Sequence, residues 1–232
     1  TPTLSDWGGA GLLESPSARM LPAGTVTAGL SRQRRGVQHL TFGVQPLPWL
    51  EVVARTTLSP SLFGLNEPGL DVKLRLWDEG EWWPALAIGA RDVSGIGYDL
   101  RERGRLASEY LVATRRWWDL DLTAGLGWGR LGEGPGIANP LPGRLRRDRP
   151  LEGPGSRGPP GWFTGRRIGL FAGVEWRTPL DGVSLKLDLP GSRFAYERSV
   201  DPTYPAGPPW GVAVAWKPAG WADLSLGWQR GY

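Results

Sequence analysis

The stretch LDVKLRLWDEGEWWPALAIGARD, residues 70–92, decides the fold of this chain. Apolar and charged side chains alternate through its first half, which predicts a β-strand with one apolar and one polar face. The charged segment Asp78–Glu81 predicts a tight reversal, after which Leu86, Ile88 and Ala90 resume the apolar face. The stretch is therefore predicted to form a β-hairpin whose two faces differ in polarity.

Three tryptophans, Trp77, Trp82 and Trp83, lie beside the turn of this hairpin. Alternation alone does not separate a membrane strand from a soluble one, because a soluble sheet also buries one face and wets the other. Amphipathic rings next to a turn, with a band of aliphatic side chains beyond them, are typical of strands whose outer face meets lipid. The hairpin therefore favours a membrane-spanning sheet.

The rest of the chain repeats this pattern. Further strands are predicted at 25–32, 37–45, 50–58, 107–116, 120–129, 165–177, 183–189, 210–216 and 222–229. Short turns rich in Trp, Pro and Asp alternate with longer connections, as in bacterial outer-membrane barrels. We predict an all-β fold, an antiparallel up-and-down transmembrane β-barrel of about 11–12 strands with short periplasmic turns and longer external loops. A soluble barrel or sandwich is the alternative.

Composition agrees with many short strands. The 232 residues include 35 glycines and 22 prolines but no cysteine, which excludes disulfides and cysteine-based metal or redox chemistry. No apolar run approaches the ~20 residues of a membrane helix. Residues 1–23 are predicted to be an irregular N-terminal segment, in which Ser17–Leu21 could form a short helix. Residues 24–232 form the predicted barrel domain, interrupted by a long Pro/Gly/Arg-rich loop at 131–164.

Two sets of side chains follow from the strand pattern. Tryptophans near the short turns are predicted to lie at the membrane interface, namely Trp49, Trp77, Trp82, Trp83, Trp117, Trp118, Trp216 and Trp221. Charged residues on the polar faces are predicted to face the lumen, namely Glu51, Arg55, Asp71, Lys73, Arg75, Arg91, Glu109, Arg115, Asp121, Arg167, Glu175, Lys186 and Asp188. These mixed charges either pair to brace a narrow barrel or line a polar path for a hydrophilic solute.

The long loop is basic. Arg144, Arg146, Arg147 and Arg149 lie close together, with few acidic residues against them. Guanidinium groups pair readily with carboxylates and phosphates, so these arginines are candidates for contact with an anionic polymer or with surface lipopolysaccharide. A solvated loop without a ligand is the alternative.

The sequence contains no convincing catalytic or cofactor motif. A GxGxxG pattern occurs at Gly127, Gly129 and Gly132, but Gly134-Pro135-Gly136 follows it where a dinucleotide site needs a helix. His39 is the only histidine and has no readable Ser-His-acid set around it. The net charge of +4 is too modest to indicate nucleic acid by itself. We expect no enzyme activity, no cofactor, no metal site and no nucleic-acid partner.

Several segments, in order along the chain, resemble the amino-terminal part of YjbH-type proteins. They include GLLESPSARMLPAGT, QPLPWLEVVAR, residues 70–92, LFAGVEWRTPLDGVSLKLDL and WADLSLGWQRGY. The resemblance implies an outer-membrane β-barrel component of exopolysaccharide or capsule gene clusters, and a protein longer than this chain. Family members are often described as lipoproteins, whereas this chain has no cysteine to acylate.

The resemblance sets the functional expectations. It implies a conduit or scaffold in secretion or assembly of exopolysaccharide or capsule, located in the bacterial outer membrane. The expected partners are outer-membrane lipid, exopolysaccharide and other export proteins. Two alternatives stay open, a general diffusion porin and a soluble carbohydrate-binding β-domain. The odd count of about eleven strands indicates a missed strand or a continuing chain, since bacterial single-chain barrels usually have an even number.

Overall fold

A computed structural model describes residues 1–33, 36–59, 65–93, 107–147, 161–195, 198, 202–203 and 208–229. Nearly all regular structure in these residues is β-strand. The strands are β1 Thr25–Arg32, β2 Gln38–Leu47, β3 Leu50–Ser59, β4 Leu65–Trp77, β5 Ala85–Arg91, β6 Ser108–Trp117, β7 Leu120–Gly127, β8 Gly136–Ala138, β9 Arg167–Arg177, β10 Val183–Leu189, β11 Gly211–Ala219 and β12 Ala222–Gln229. No described helix has the length and apolar character needed to cross a bilayer.

All strands belong to one antiparallel sheet in which neighbours along the chain are neighbours in space. The order is β1-β2-β3-β4-β5-β6-β7-β9-β10-β11-β12, and the short β8 pairs with β9 off this path. The predicted all-β antiparallel architecture is confirmed. Within the described residues the sheet ends at β1 and β12, since no ladder joins these two strands.

The two faces of the sheet differ as the alternation predicts. The outer face carries exposed aliphatic and aromatic side chains on strand after strand, including Val26, Phe42, Leu170, Val214 and Leu226. Within the described strands of the sheet, the only charged positions on the outer face are Arg32, Glu109 and Arg115. An apolar surface that continues across a whole sheet far exceeds the patches of soluble monomers.

The predicted interface tryptophans gather along one edge of the sheet. All eight are exposed, from Trp216 and Trp49 at 48 % to Trp221 at 90 %. They lie in or beside the short turns that follow β2, β4, β6 and β11. Trp117 and Trp118 stack with their ring centroids 5.4 Å apart. These four turns thus place a tryptophan-lined rim, which we call the Trp edge, along one end of the sheet.

Residues 1–23 pack against the other face, which we call the inner face. The segment forms no helix at Ser17–Leu21 and has only two isolated β-bridges, Leu4 with Ala10 and Gly11 with Pro16. Trp7, Leu12, Leu13 and Ala18 are buried. A small apolar cluster joins it to the sheet, consisting of Ala18, Ala85, Ala87, Tyr110, Val112, Leu131 and Phe171. The protein core is therefore the contact between this segment and the inner face.

Two local predictions differ from the structure. On β6, Tyr110, Val112 and Thr114 face inward, because the register places Thr114 opposite the inner residues Ala85 and Thr123. Both faces of β6 mix polar and apolar residues, so alternation did not identify the inner one. The long connection 131–164, predicted as a loop, contains β8 and a 3₁₀ turn at Gly143–Arg146, and residues 148–160 lie outside the described part.

Candidate functional site

The polar residues of the inner face bind the backbone of the N-terminal segment. Lys186 on β10 shows this most clearly, since its Nζ donates to the carbonyl oxygens of Leu4, Gly11 and Leu12 at 2.8, 3.1 and 3.1 Å. An ammonium has three donors, so all of them are used. Irregular backbone leaves carbonyls without ladder partners, and buried carbonyls need donors. Lys186 therefore serves as a clamp for the segment.

Lys73 on β4 makes a second clamp. Its Nζ donates to the carbonyl oxygens of Ala10 and Arg19 at 3.1 and 3.0 Å and lies 3.0 Å from Oε1 of Glu51. The other oxygen of Glu51 accepts from the backbone N–H of Ala10 at 3.0 Å. Lys73 is 2 % exposed, so this pair is almost wholly desolvated. A buried ion pair is tolerated when the remaining donors and acceptors are satisfied, as they are here.

Asp188 binds the segment with the opposite charge. Its Oδ2 accepts from the backbone N–H groups of Leu13, Glu14 and Ser15 at 3.2, 2.7 and 2.9 Å. Consecutive N–H groups that converge on one carboxylate form an anion-binding nest. Asp188 is only 1 % exposed, so bulk water cannot replace its carboxylate as the acceptor of these hydrogen bonds. The segment is thus bound through its backbone from both strand β4 and strand β10.

Trp7 anchors the segment at the centre of the inner face. The guanidinium carbons of Arg55 and Arg91 lie 4.3 and 4.5 Å from its ring centroid, and His39 stacks on it at 5.1 Å. Cation–π contacts of this kind gain strength when water is excluded. His39 is buried and pairs with Thr57 at 2.9 Å, so it is a structural interior histidine.

A network of charged side chains lies at the end of the inner face that is next to the Trp edge. Asp121 on β7 contacts Arg19, Arg116 and Arg177 at 2.6, 3.1 and 3.0 Å. Arg19 also pairs with Glu79 of the turn after β4 at 2.7 Å. Because Arg19 comes from the N-terminal segment, this network connects the end of that segment to the β4–β5, β6–β7 and β9–β10 hairpins.

Asp6 touches both edges of the sheet. Its backbone carbonyl accepts from Ser31 on β1 at 3.0 Å, and its carboxylate accepts from Gln229 on β12 at 2.8 Å. Burial raises the pKa of Asp6 to about 6, with a further contribution from the nearby carboxylate of Glu14. The N-terminal segment therefore bridges the two strands that no ladder joins in the described residues.

Gly8 is required where the segment turns next to β2. Its φ is +88°, and a Cβ there would lie 2.6 Å from Cβ of Thr41. We expect Gly8→Ala to lower the free energy of unfolding by about 2–4 kcal/mol, from backbone strain plus the clash. Gly24 is a matched control, since its φ is +84° and no atom would contact its Cβ. Denaturant unfolding of both variants measures the difference, and equal losses would contradict the packing argument.

The structure distributes the predicted lumen-facing residues over three environments. The inner face holds Glu51, Arg55, Asp71, Lys73, Arg75, Arg91, Asp121, Glu175, Lys186 and Asp188. Arg115 lies on the outer face and donates to the carbonyl of Glu81 at 2.7 Å. Glu109 also has outer-face register but is buried, and it accepts from the backbone N–H of Phe163 at 2.8 Å. Arg167 is exposed at the start of β9.

The predictions for Arg115 and Glu109 therefore differ from the structure, and the inverted face of β6 is the reason. The predicted loop residues Arg144, Arg146 and Arg147 are exposed, and Arg149 lies outside the described residues. Asn139 holds this part of the loop, because its Nδ2 donates to the carbonyls of Leu145 and Gly165, both at 2.8 Å. Arg144, Arg146 and Arg147 are thus exposed on a part of the loop that Asn139 holds in place by hydrogen bonds.

Sequence reasoning did not find the N-terminal segment as part of the site. Trp7, Ala10 and Arg19 are its main contacts, and none belongs to a strand pattern. One available signal was the composition of residues 7–13, where three glycines and an alanine permit close backbone approach.

Chemically, the inner face is built for holding a polypeptide. The described residues contain no cluster of three or more metal-ligating side chains. A small cavity beside Trp7 and Lys73 has room for about one water. Of the two interpretations of the inner charges, bracing agrees with the ion pairs that join neighbouring strands, such as Glu51 with Lys73 and Asp121 with Arg177. The inner charges also bind the N-terminal segment, which lies on the inner face.

Comparisons with known proteins show which proteins this chain is similar to. The family model for YjbH, described as exopolysaccharide biosynthesis protein YbjH, matches residues 3–232. A protein of Escherichia coli (strain K12) named uncharacterized lipoprotein YjbH is 34 % identical over 245 residues, which cover 99 % of this chain. The chain spans about a third of the length of that relative (34 %). No solved structure matches the chain.

Proposed function

Because the chain belongs to the YjbH exopolysaccharide biosynthesis family, we propose that it forms an outer-membrane β-barrel wall that serves secretion or surface assembly of exopolysaccharide or capsule. It acts as a scaffold or gated conduit and not as an enzyme. The partners proposed are outer-membrane lipid, exopolysaccharide and other export proteins.

One observation carries the membrane part of this proposal, the continuous apolar outer face. Leu187, Val214 and Leu226 are 41, 47 and 82 % exposed, yet each lies mid-strand where a soluble sheet places polar residues. A bilayer covers such a face and places amphipathic rings at its boundary, as the Trp edge would be placed. The name of the relative, a lipoprotein, supports membrane association.

The occupied inner face favours a scaffold or a gated conduit over a general diffusion porin. A diffusion pore needs a water-filled lumen, whereas here Lys73, Lys186 and Asp188 hold residues 4–19 across the inner face. Passage of a polymer would require this segment to move. A soluble carbohydrate-binding domain is disfavoured by the apolar outer face.

In this proposal, the basic loop is the part of the protein that contacts the polymer. Arg144, Arg146 and Arg147 are exposed and could pair with carboxylates or phosphates of an anionic polysaccharide. We expect cells that lack the full-length protein to lose secreted polysaccharide, and wild type to restore it. A variant with Arg144, Arg146, Arg147 and Arg149 changed to Ser is expected to restore less than half of the wild-type amount.

The control for this experiment removes exposed charge elsewhere. Arg32→Ser with Arg198→Ser changes two exposed arginines outside the loop and should restore wild-type secretion. Full restoration by the loop variant would limit the loop to a solvated surface. Unchanged polysaccharide in the deletion strain would refute the role in secretion.

A further inference from the structure

The two edge strands of the sheet run in the same direction. The ordered path holds eleven strands, each antiparallel to the next, and β8 lies outside it. In an alternating series of odd number the first and last members are parallel. β1 and β12 therefore cannot close an antiparallel ring directly, and one more strand between them restores the alternation.

Both edges expose backbone that a membrane does not tolerate. β1 and β12 are eight residues each, and each has a ladder on one side only within the described residues. In hydrocarbon every backbone N–H and C=O must be bonded within the protein, since each unsatisfied group costs several kcal/mol. Their outer side chains Leu30 and Leu226 are also 66 and 82 % exposed. Within the described residues, no neighbouring strand packs against these two edges.

A groove of about 360 Å³ separates the edges. Leu30 and Leu226 lie on its outer side, and Ser31, Ser225 and Gln229 on its inner side. Asp6 forms the floor of the groove, bonded to Ser31 and Gln229. Because Asp6 contacts both strands, the groove is a defined gap with a polar inner rim and an outer rim that is apolar apart from Arg32 at the end of β1. A β-strand with alternating side chains fits both rims.

We propose that this seam is filled by an additional β-strand, antiparallel to β1 and β12, from the part of the same protein that follows Tyr232. A strand that starts at the Gln229 end of β12 has the required direction, as a hairpin partner does. The chain spans about a third of the length of the curated relative, so polypeptide of sufficient length exists in that protein. The inference rests on the proposed membrane barrel, but its test does not depend on polysaccharide.

The test uses the full-length protein in outer-membrane vesicles. Disulfides need Cα atoms about 4.4–6.8 Å apart, whereas strands on either side of an inserted strand are ~9.6 Å apart. We expect Ser225→Cys to form no disulfide with Thr27→Cys or with Ser31→Cys under mild oxidation. Ser225→Cys with Ala215→Cys is the control that should form one, since these two residues are paired in register. Residues 1–232 contain no cysteine that could interfere.

A photocrosslinking residue identifies the occupant. Benzoylphenylalanine in place of Leu226 is expected to give an adduct within one polypeptide, and peptide mapping should join position 226 to residues beyond 232. The same residue at Leu180, in an exposed short turn, should give no such adduct. A disulfide between β1 and β12 would overturn the proposal by showing direct closure. An adduct of doubled mass, an adduct with another protein, or lipid adducts alone would overturn it as well.

Discussion

Replacing Asp188 by alanine is expected to release the N-terminal segment from the inner face. The change leaves the N–H groups of Leu13, Glu14 and Ser15 without their shared acceptor in a site that is 1 % exposed. It also removes one of the carboxylates near the ammonium of Lys186, although Glu175, Asp223 and Asp6 remain. Each buried donor that loses its acceptor costs about 1–3 kcal/mol, so we expect the three together to cost roughly 3–5 kcal/mol.

Two measurements check this prediction. Limited proteolysis of the membrane-inserted protein should cut the variant within residues 1–23 at least tenfold faster than wild type. In planar bilayers, the variant of the full-length protein should conduct ions more often, because the segment no longer blocks the inner face. If neither cleavage nor conductance changes, the segment does not depend on Asp188.

Asp78 provides the matched control. It is also a carboxylate with a cationic partner, Arg75 at 2.6 Å, but its side chain is 72 % exposed. Exposed ion pairs contribute about 0–1 kcal/mol, so Asp78→Ala should leave both measurements close to wild type. Asp188→Asn should have an intermediate effect, because its amide oxygen still accepts hydrogen bonds but carries no charge.

Replacing Leu187 by arginine is expected to prevent stable insertion of the protein into a bilayer. Leu187 lies on the outer face in the middle of β10 and is 41 % exposed. Arginine on the lipid face of a membrane strand costs about 2–4 kcal/mol near the bilayer midplane. In a soluble protein the same change at a surface position has an effect within about 0.5 kcal/mol. The variant therefore separates the membrane interpretation from the soluble one.

The measurement is the folded fraction after transfer into lipid vesicles, read from heat-dependent gel mobility. We expect a fall of at least tenfold for Leu187→Arg. Leu180→Arg is the control, because Leu180 is 67 % exposed in the short turn between β9 and β10 and is not part of a strand. Insertion of both variants at the wild-type level would argue against a lipid-covered outer face.

The candidate site was predictable only in part. Lys73, Lys186 and Asp188 were identifiable as inner residues because alternation is a local property of each strand. Their partners were not identifiable, because the bonds join positions far apart, such as Asp188 with Ser15 at a separation of 173 residues. The sequence also did not decide which face of β6 points inward. The face that contains Tyr110 and the face that contains Leu111 both mix apolar and polar side chains.

The sequence by itself determined most strands, the short turns, the antiparallel order and, except on β6, the apolar outer face with its Trp edge. These depend on a two-residue period and on turn residues, which act over a few neighbouring positions. Only the tertiary structure decided that residues 1–23 lie on the inner face, that Lys186 and Asp188 bind their backbone, and that β1 and β12 leave a seam. These features arise where distant parts of the chain meet, and no local pattern encodes which backbone groups will need a partner.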